Sequence, residues 1–397
     1  MPELRHLLPL LGLTGCLCAA DFHVSPADAG AAAEIFNKRM QPGDRMLLGA
    51  GIYQDLCLKL VTGGAAGRPK TIEAAEGAVM VSSWSVEKPD KGATAITLAP
   101  GLRHVVLRNL SIQRYCIAIR ADRAPENPRG NLVFENLSME RMRHGFYLSD
   151  CDDVVISGCK LKRYSKHGVR FEQGCDRVAL RDCVADCSEG DVQLETRTEL
   201  FPFGFCINDG GAPNTGFRFE NCVARNHIKS NQTVKYTNGD GFVVEGNARD
   251  VAFRGCRALR NQDGGFDLKV DGVKLVDCVA IGHRRDFRVW KSGTLTNCFS
   301  GWSEAGLWVK EGSVKASRCT FLHHRKSSVE AEDGAKRPVL LDCLIVSNAP
   351  GNFEGGNSNV VAKSTADLGI TDPKPGWDGC GNLMNSSVHP NKGYRSH

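Results

Sequence analysis

Asn238-Gly-Asp-Gly-Phe-Val-Val244, Asp263-Gly-Gly-Phe-Asp-Leu268 and Arg285-Asp-Phe-Arg-Val289 are three versions of one short phrase, turn residues followed by a Phe-x-Val or Phe-x-Leu pair. Each is followed 11 to 14 residues after its Phe by a cysteine, Cys256, Cys278 and Cys298, at intervals of 22 and 20 residues. That is the period of one coil of a β-solenoid. Side chains alternate across a strand, so aligning the Phe residues places Val243, Asp267 and Arg288 at one outward position on successive rungs about 4.8 Å apart. Asp240 and Asp263 fall in the turns leading into two of these strands. Three carboxylates and a guanidinium are thereby expected on adjacent rungs. Hard oxygen donors without His or Cys suit Ca²⁺ better than zinc. An Asp before Gly is commonly no more than a turn residue. Asp267 is different, since it stands inside a strand, where Asp is disfavoured.

The cysteine slot extends beyond this stretch. Cys159, Cys183, Cys222, Cys256, Cys278, Cys298, Cys319 and Cys343 each follow Gly, Asp, Asn or Arg, at intervals of 24, 39, 34, 22, 20, 21 and 24. Leu110 after Asn109 and Leu137 after Asn136 occupy the same slot earlier. A slot shared by Leu and Cys is interior, so these thiols are expected as a stacked apolar ladder although the chain has 17 Cys. Cys57, Cys206 and Cys380 lie off it.

The expected fold is all-β: a single right-handed parallel β-helix of about ten coils over residues 21–355. Strand triplets from Val105-Val-Leu107 to Val178-Ala-Leu180, broken by Gly, Asn and Asp, support it. Ser25-Pro26 reads as an N-cap with Pro at the first helical position, and Ala27 to Met40 as a short helix capping the open end. Long intervals mark inserted loops at Glu189 to Pro213 and Asn226 to Thr237. Residues 356–397, rich in Gly, Asn, Pro and Ser, read as an irregular tail.

Residues 1–20 read as an export signal: Arg5, the apolar run Leu7 to Leu13, then Cys18-Ala19-Ala20. Leu13-Thr-Gly-Cys16 is also a lipobox pattern that would attach lipid at Cys16. Cleaved export, lipid anchorage and an uncleaved start all stay open; the expected site of action is secreted, periplasmic or at the surface of a bacterial cell. No later run reaches the ~18 apolar residues of a membrane span. The net charge of +5 is a mild excess that suits an acidic substrate. No Lys/Arg run interleaved with aromatics suggests nucleic acid. No Ser-His-Asp order, phosphate loop or zinc spacing is present. His144-Gly and His167-Gly match one coil apart and read as turn residues of the repeat.

The Asp segments resemble those of the family 9 polysaccharide lyases, exported right-handed parallel β-helices whose N-A-D-G-F and S-D-D-G-W-D segments hold Ca²⁺. Asn238-Gly-Asp240-Gly-Phe and Gln262-Asp263-Gly264-Gly-Phe-Asp267 are similar. Asp240, Asp263 and Asp267 match ligand positions, and Gly264 stands where the family has a fourth. The family's base is a Lys in a G-F-K-L strand of the next coil, where this chain has Asp286-Phe-Arg288-Val. The resemblance implies calcium-dependent β-elimination on an acidic polysaccharide such as pectate, with Arg288 as base. Lys269 and Lys310 are expected to grip neighbouring carboxylates and Trp290 to touch the sugar. A monomer is expected. A polygalacturonase-like hydrolase lacks its Gly-His-Gly and Arg-x-Lys motifs here. A non-catalytic glycan-binding solenoid and an alginate lyase or epimerase are the alternatives.

Overall fold

The computed structural model describes residues 19–187, 200–208, 210–231, 237–332, 335–336 and 338–346, with four two-residue strands beyond. Cys16, Cys380, the start of the leader and most of the tail lie outside the described residues. So do 189–199, 209 and 232–236 of the two expected insertions.

Asn, Asp, Arg or Gly precedes every ladder residue because the chain turns a corner there in the left-handed region. Asn109, Asn136, Asp182, Asn221, Asp277, Asn297, Arg318 and Asp342 have φ between 53° and 59°, and Gly158 and Gly255 have 63°. Asn, Asp and Gly reach that conformation at least cost. The next side chain then points inward. All eight ladder cysteines are at most 1% exposed, and every described cysteine is a free thiol. Thiol titration of denatured, unreduced protein is expected to count most cysteines as free; a majority found as disulfides would contradict the ladder.

One parallel sheet runs in order through 14 strands from Asp21–Val24 to Val361–Ala362. The remaining strands form two further ladders, joined where Ser138–Leu148 and Lys160–Phe171 run through both. The result is an all-β right-handed parallel β-solenoid of about 13 turns, with a single short helix near the N-terminus. The expectation of about ten coils was low because the first turns carry no Cys in the marker slot: the register puts Gly51 and Ala78 there, in line with Leu110. Strand Val361–Ala362 pairs with Val339–Leu341 and continues the stack. The Glu189 to Pro213 segment is not all loop either: strand Phe203–Ile207 pairs with Lys160–Phe171.

The helix spans Pro26–Arg39 as three short turns of changing pitch. Pro26 takes the first position, but the Ser25 hydroxyl donates to Asp28 Oδ2 (2.6 Å) and caps no backbone N–H. Ala32, Ile35 and Phe36 are buried against the first coils, which covers core that an open end would expose. Inside, Phe205, Phe242, Phe266 and Phe287 stack with centroids 4.7–5.2 Å apart. The Phe of each sequence phrase is therefore a core residue that fixes the register of the polar residues beside it.

Candidate active site

Strand register aligns Val243 with Asp267, Asp267 with Arg288 and Arg288 with Trp308. The outward row expected from the Phe phrases is thus present, although its polar members are covered. Asp240, Asp263 and Asp267 are each at most 2% exposed. Gly264 lies between them: its N–H donates to Asp240 Oδ1, and a Cβ there would stand 2.7 Å from that oxygen. The missing side chain makes room for the Asp240 carboxylate.

Three cations serve these acids. Arg288 Nη1 donates to Asp263 Oδ2 at 2.9 Å, and its Nε is 3.7 Å from Asp267 Oδ1. Arg284 Nη1 reaches Asp263 Oδ1 at 3.3 Å. Lys269 Nζ is 3.3 Å from Asp267 Oδ2 and also pairs with Glu245. Trp290 Nε1 donates to Asp267 Oδ1 at 2.6 Å. Lys310 Nζ stands 4.1 Å from the Trp290 ring centre, and the Arg288 guanidinium 5.0 Å from it and 5.3 Å from that of Trp308. The structure therefore brings all seven candidate residues into one continuous patch.

Burial, then the neighbouring Asp267 and Asp263, push the Asp240 carboxyl well above the usual range. Burial also raises Asp267, against the pull of Arg288 and Lys269. Burial alone would lower Lys269, but Asp267 and Glu245 hold it above its ordinary value. It is a fixed cation and a poor proton acceptor. Among the described residues no three acidic, His or Cys side chains form a ready metal cage. The donor chemistry still fits a hard cation, since all three ligand candidates are carboxylates and Asp240 carries the strain of their shared charge. Arg288 and Lys269 would give up contacts to Asp263 and Asp267 on binding. Because Asp240 is raised, a cation bound through it would displace a proton, and its binding would tighten as pH rises. Titration in buffers of different ionisation heat measures this, and a pH-independent affinity would exclude Asp240 as a ligand.

A second polar cluster, missed from sequence, lies just inside the neighbouring corner. Five residues after Cys222, Cys256, Cys278, Cys298 and Cys319 stand His227, Asn261, His283, Ser303 and His324, all buried. His227 Nδ1 meets Asn261 Oδ1 at 2.6 Å, and Asn261 Nδ2 meets His283 Nε2 at 3.1 Å. Asp286, fully buried, bonds His283 Nδ1 (2.6 Å) and accepts from Ser300 (2.6 Å) and Ser303. Burial opposes its charge, but the hydrogen bonds of His283 and His324 hold the carboxyl below its ordinary value. The signal was present: Gly241, Gly265 and Gly306 fill the slot before the core Phe or Leu on neighbouring rungs, and only this rung has Asp. His144 and His167 lie within long strands, not in turns, with rings stacked 5.0 Å apart.

Burial lowers His227 to about 4 and holds His144 and His167 well below their ordinary value. Below pH ~6.5 the unfolded chain binds protons that these buried rings refuse, so stability is full above that pH and falls as pH drops toward 4. His227 alone accounts for roughly 3 kcal/mol over that interval. Denaturant midpoints between pH 7.5 and 4.5 should fall steadily; a flat profile would contradict neutral buried rings.

Residues 127–298 match the family described as right handed beta helix region. No curated protein sequence matches the chain. Among solved structures, the chain is similar to the mannuronan C-5 epimerase AlgE6 A-module of Azotobacter vinelandii, at 12% identity over 84% of this chain and 86% of that one, TM-score 0.51. It is also similar to an alginate lyase from Paenibacillus sp. str. FPU-7 (12% identity, 86% and 99% covered, TM-score 0.47). A polygalacturonase from Erwinia carotovora ssp. carotovora follows (11% identity, 87% and 96% covered, TM-score 0.46). At these identities the likeness is one of fold. Among the described residues no helix is long and apolar enough to cross a membrane.

Proposed function

We propose that this protein is a calcium-dependent lyase that cleaves a uronate-containing polysaccharide by β-elimination. The observation that carries the reading is the rung register: a buried carboxylate trio about Gly264, with Arg288 one rung beyond Asp267 and aromatic rings on either side. The segments that resemble the family 9 lyases supply the same residues.

Asp240, Asp263 and Asp267 would hold the calcium, whose charge near the substrate carboxylate would make the proton on the adjacent ring carbon more acidic. Lys269 and Lys310, on rungs flanking Arg288, pair with neighbouring uronate carboxylates. Trp290, which already carries Arg288, Lys269 and Lys310 about its ring, orients these cations and offers a face to the sugar. Arg288 takes the ring proton. A guanidinium is a weak base by its solution pKa above 12. Its role as base depends on calcium taking over Asp263 and Asp267, the carboxylates that pair with the guanidinium in this structure. Acidic polysaccharides lie outside cells, in keeping with the exported, periplasmic or cell-surface site of action that the leader suggests.

Affinity electrophoresis through gels containing pectate or alginate tests the substrate class, with a neutral glucan gel as control. Retardation by a polyuronate alone supports the reading, and equal mobility in all gels contradicts it. Calorimetry tests the metal. The parent is expected to bind calcium and Asp267→Ala to lose at least ~10-fold in affinity; equal binding by both would remove these aspartates as ligands.

A further inference from the structure

A cavity of about 830 Å³ opens on the corner beside the aspartate trio. Its geometry follows from two residue columns that repeat with the ladder cysteines. Four residues after successive cysteines, the chain again turns through the left-handed region: Asn226, Arg260, Gly282, Trp302 and His323 have φ between 51° and 82°. Rungs are about 4.8 Å apart, so Gly282 holds the Arg260 and Trp302 backbones roughly 10 Å apart, and the Arg260 stem leans over the slot between them, its Cγ 3.4 Å from where a Gly282 Cβ would stand. A bulky residue such as Trp is rarely placed in this backbone conformation, and there it is 55% exposed. Phe299 and His323 prop its ring at 5.8 and 5.9 Å. Two columns further, Arg284, Glu304 and Arg325 line the same slot. Its size is that of a small-ligand site. Its rim combines exposed Arg260 and Arg325, half-buried Arg284 and one aromatic plate.

We propose that this slot is a sugar-binding subsite for an acidic residue of the chain, with Trp302 stacking on the ring and Arg260, Arg284 and Arg325 recognising its carboxylate. The proposal rests on the polyuronate reading of the neighbouring site. Arg284 ties the two together: it lines the slot while its Nη1 bonds Asp263. A chain held at the trio therefore runs directly onto the slot. Guanidinium groups read a planar carboxylate through paired N–H donors, and an exposed Trp supplies a large rigid face at low entropic cost. Glu304 at the rim disfavours a second anionic group on the same sugar.

The test uses the full-length chain with galacturonate and mannuronate hexasaccharides, and a neutral cello-oligosaccharide as control. Binding is read calorimetrically, and KM and kcat are read where turnover occurs. Trp302→Ala and Arg260→Ala change exposed side chains, and both are expected to weaken hexasaccharide binding by ~10-fold or more, raising KM with kcat nearly unchanged. Disaccharides too short to span both places should be indifferent to either change. If the parent binds the acidic hexasaccharide and both variants bind it equally well, the subsite is refuted while the polyuronate reading stands. Equal binding of the neutral oligosaccharide refutes its acidic specificity. No binding of any uronide by the parent overturns both.

Discussion

Arg288→Ala is expected to lower the rate of product formation by ~10²- to 10⁴-fold, the range lost with a general base, while leaving polyuronate binding within a few-fold. The expected behaviour of calcium distinguishes this from a structural defect. Arg288 Nη1 is 2.9 Å from Asp263, and its Nε is 3.7 Å from Asp267. Removing the guanidinium frees both carboxylates, so calcium affinity should hold or rise in the variant. Lys269→Ala should act differently, weakening substrate binding first. Near-parental turnover by Arg288→Ala would move the base elsewhere on the patch. Loss of calcium binding together with turnover would mean that Arg288 acts by holding the aspartates in place.

Asp286→Ala is expected to cost about 3–5 kcal/mol of stability, the effect of removing one partner from a buried charged network. Its carboxylate is an acceptor for His283, Ser300 and Ser303 and lies 3.5 Å from His324 Nε2, all in the dry corner. Without it these groups lose their partner where water cannot replace it. Asp286→Asn keeps the shape and one acceptor oxygen and should lose less. Denaturant unfolding of the three proteins at pH 7 measures this. A loss under ~1 kcal/mol for the alanine variant would show that the network is not what holds the corner.

The fold was legible because three of its rules act on residue identity. The left-handed corner selects Asn, Asp or Gly before the ladder slot, and the interior selects Cys or Leu in it. The stacked Phe residues fix which neighbours share a face. Asp267 and Arg288 followed from that alignment, and the structure places them in register. What stayed hidden was either unmarked or unreferenced. Early turns use Gly51, Ala78, Leu110 and Leu137 where later ones use Cys, so their number could not be counted. His227, Asn261, His283, Ser303 and His324 share the cysteine intervals, but three different residue types occupy one column and no single-letter pattern repeats. Their unity is one of hydrogen bonding, visible once the rungs are stacked. Trp302 and Gly282 were passed over for the same reason: the cavity is made by a column with one side chain absent. Burial of the aspartates was not legible either, because it comes from Lys269 on the rung of Asp267 and from Arg288 and Trp290 on the next rung folding over them.

β-Elimination on an acidic polysaccharide leaves a carbon–carbon double bond conjugated to the uronate carboxylate. Ultraviolet absorbance of that unsaturated product, followed on pectate, alginate and glycosaminoglycans with calcium and with a chelator, tests it directly. Absorbance that grows with time on at least one polyuronate, depends on calcium and disappears in Arg288→Ala is the expected result. Absence of the unsaturated product on every polyuronate, with polyuronate binding intact, would contradict the lyase and leave a glycan-binding solenoid in its place.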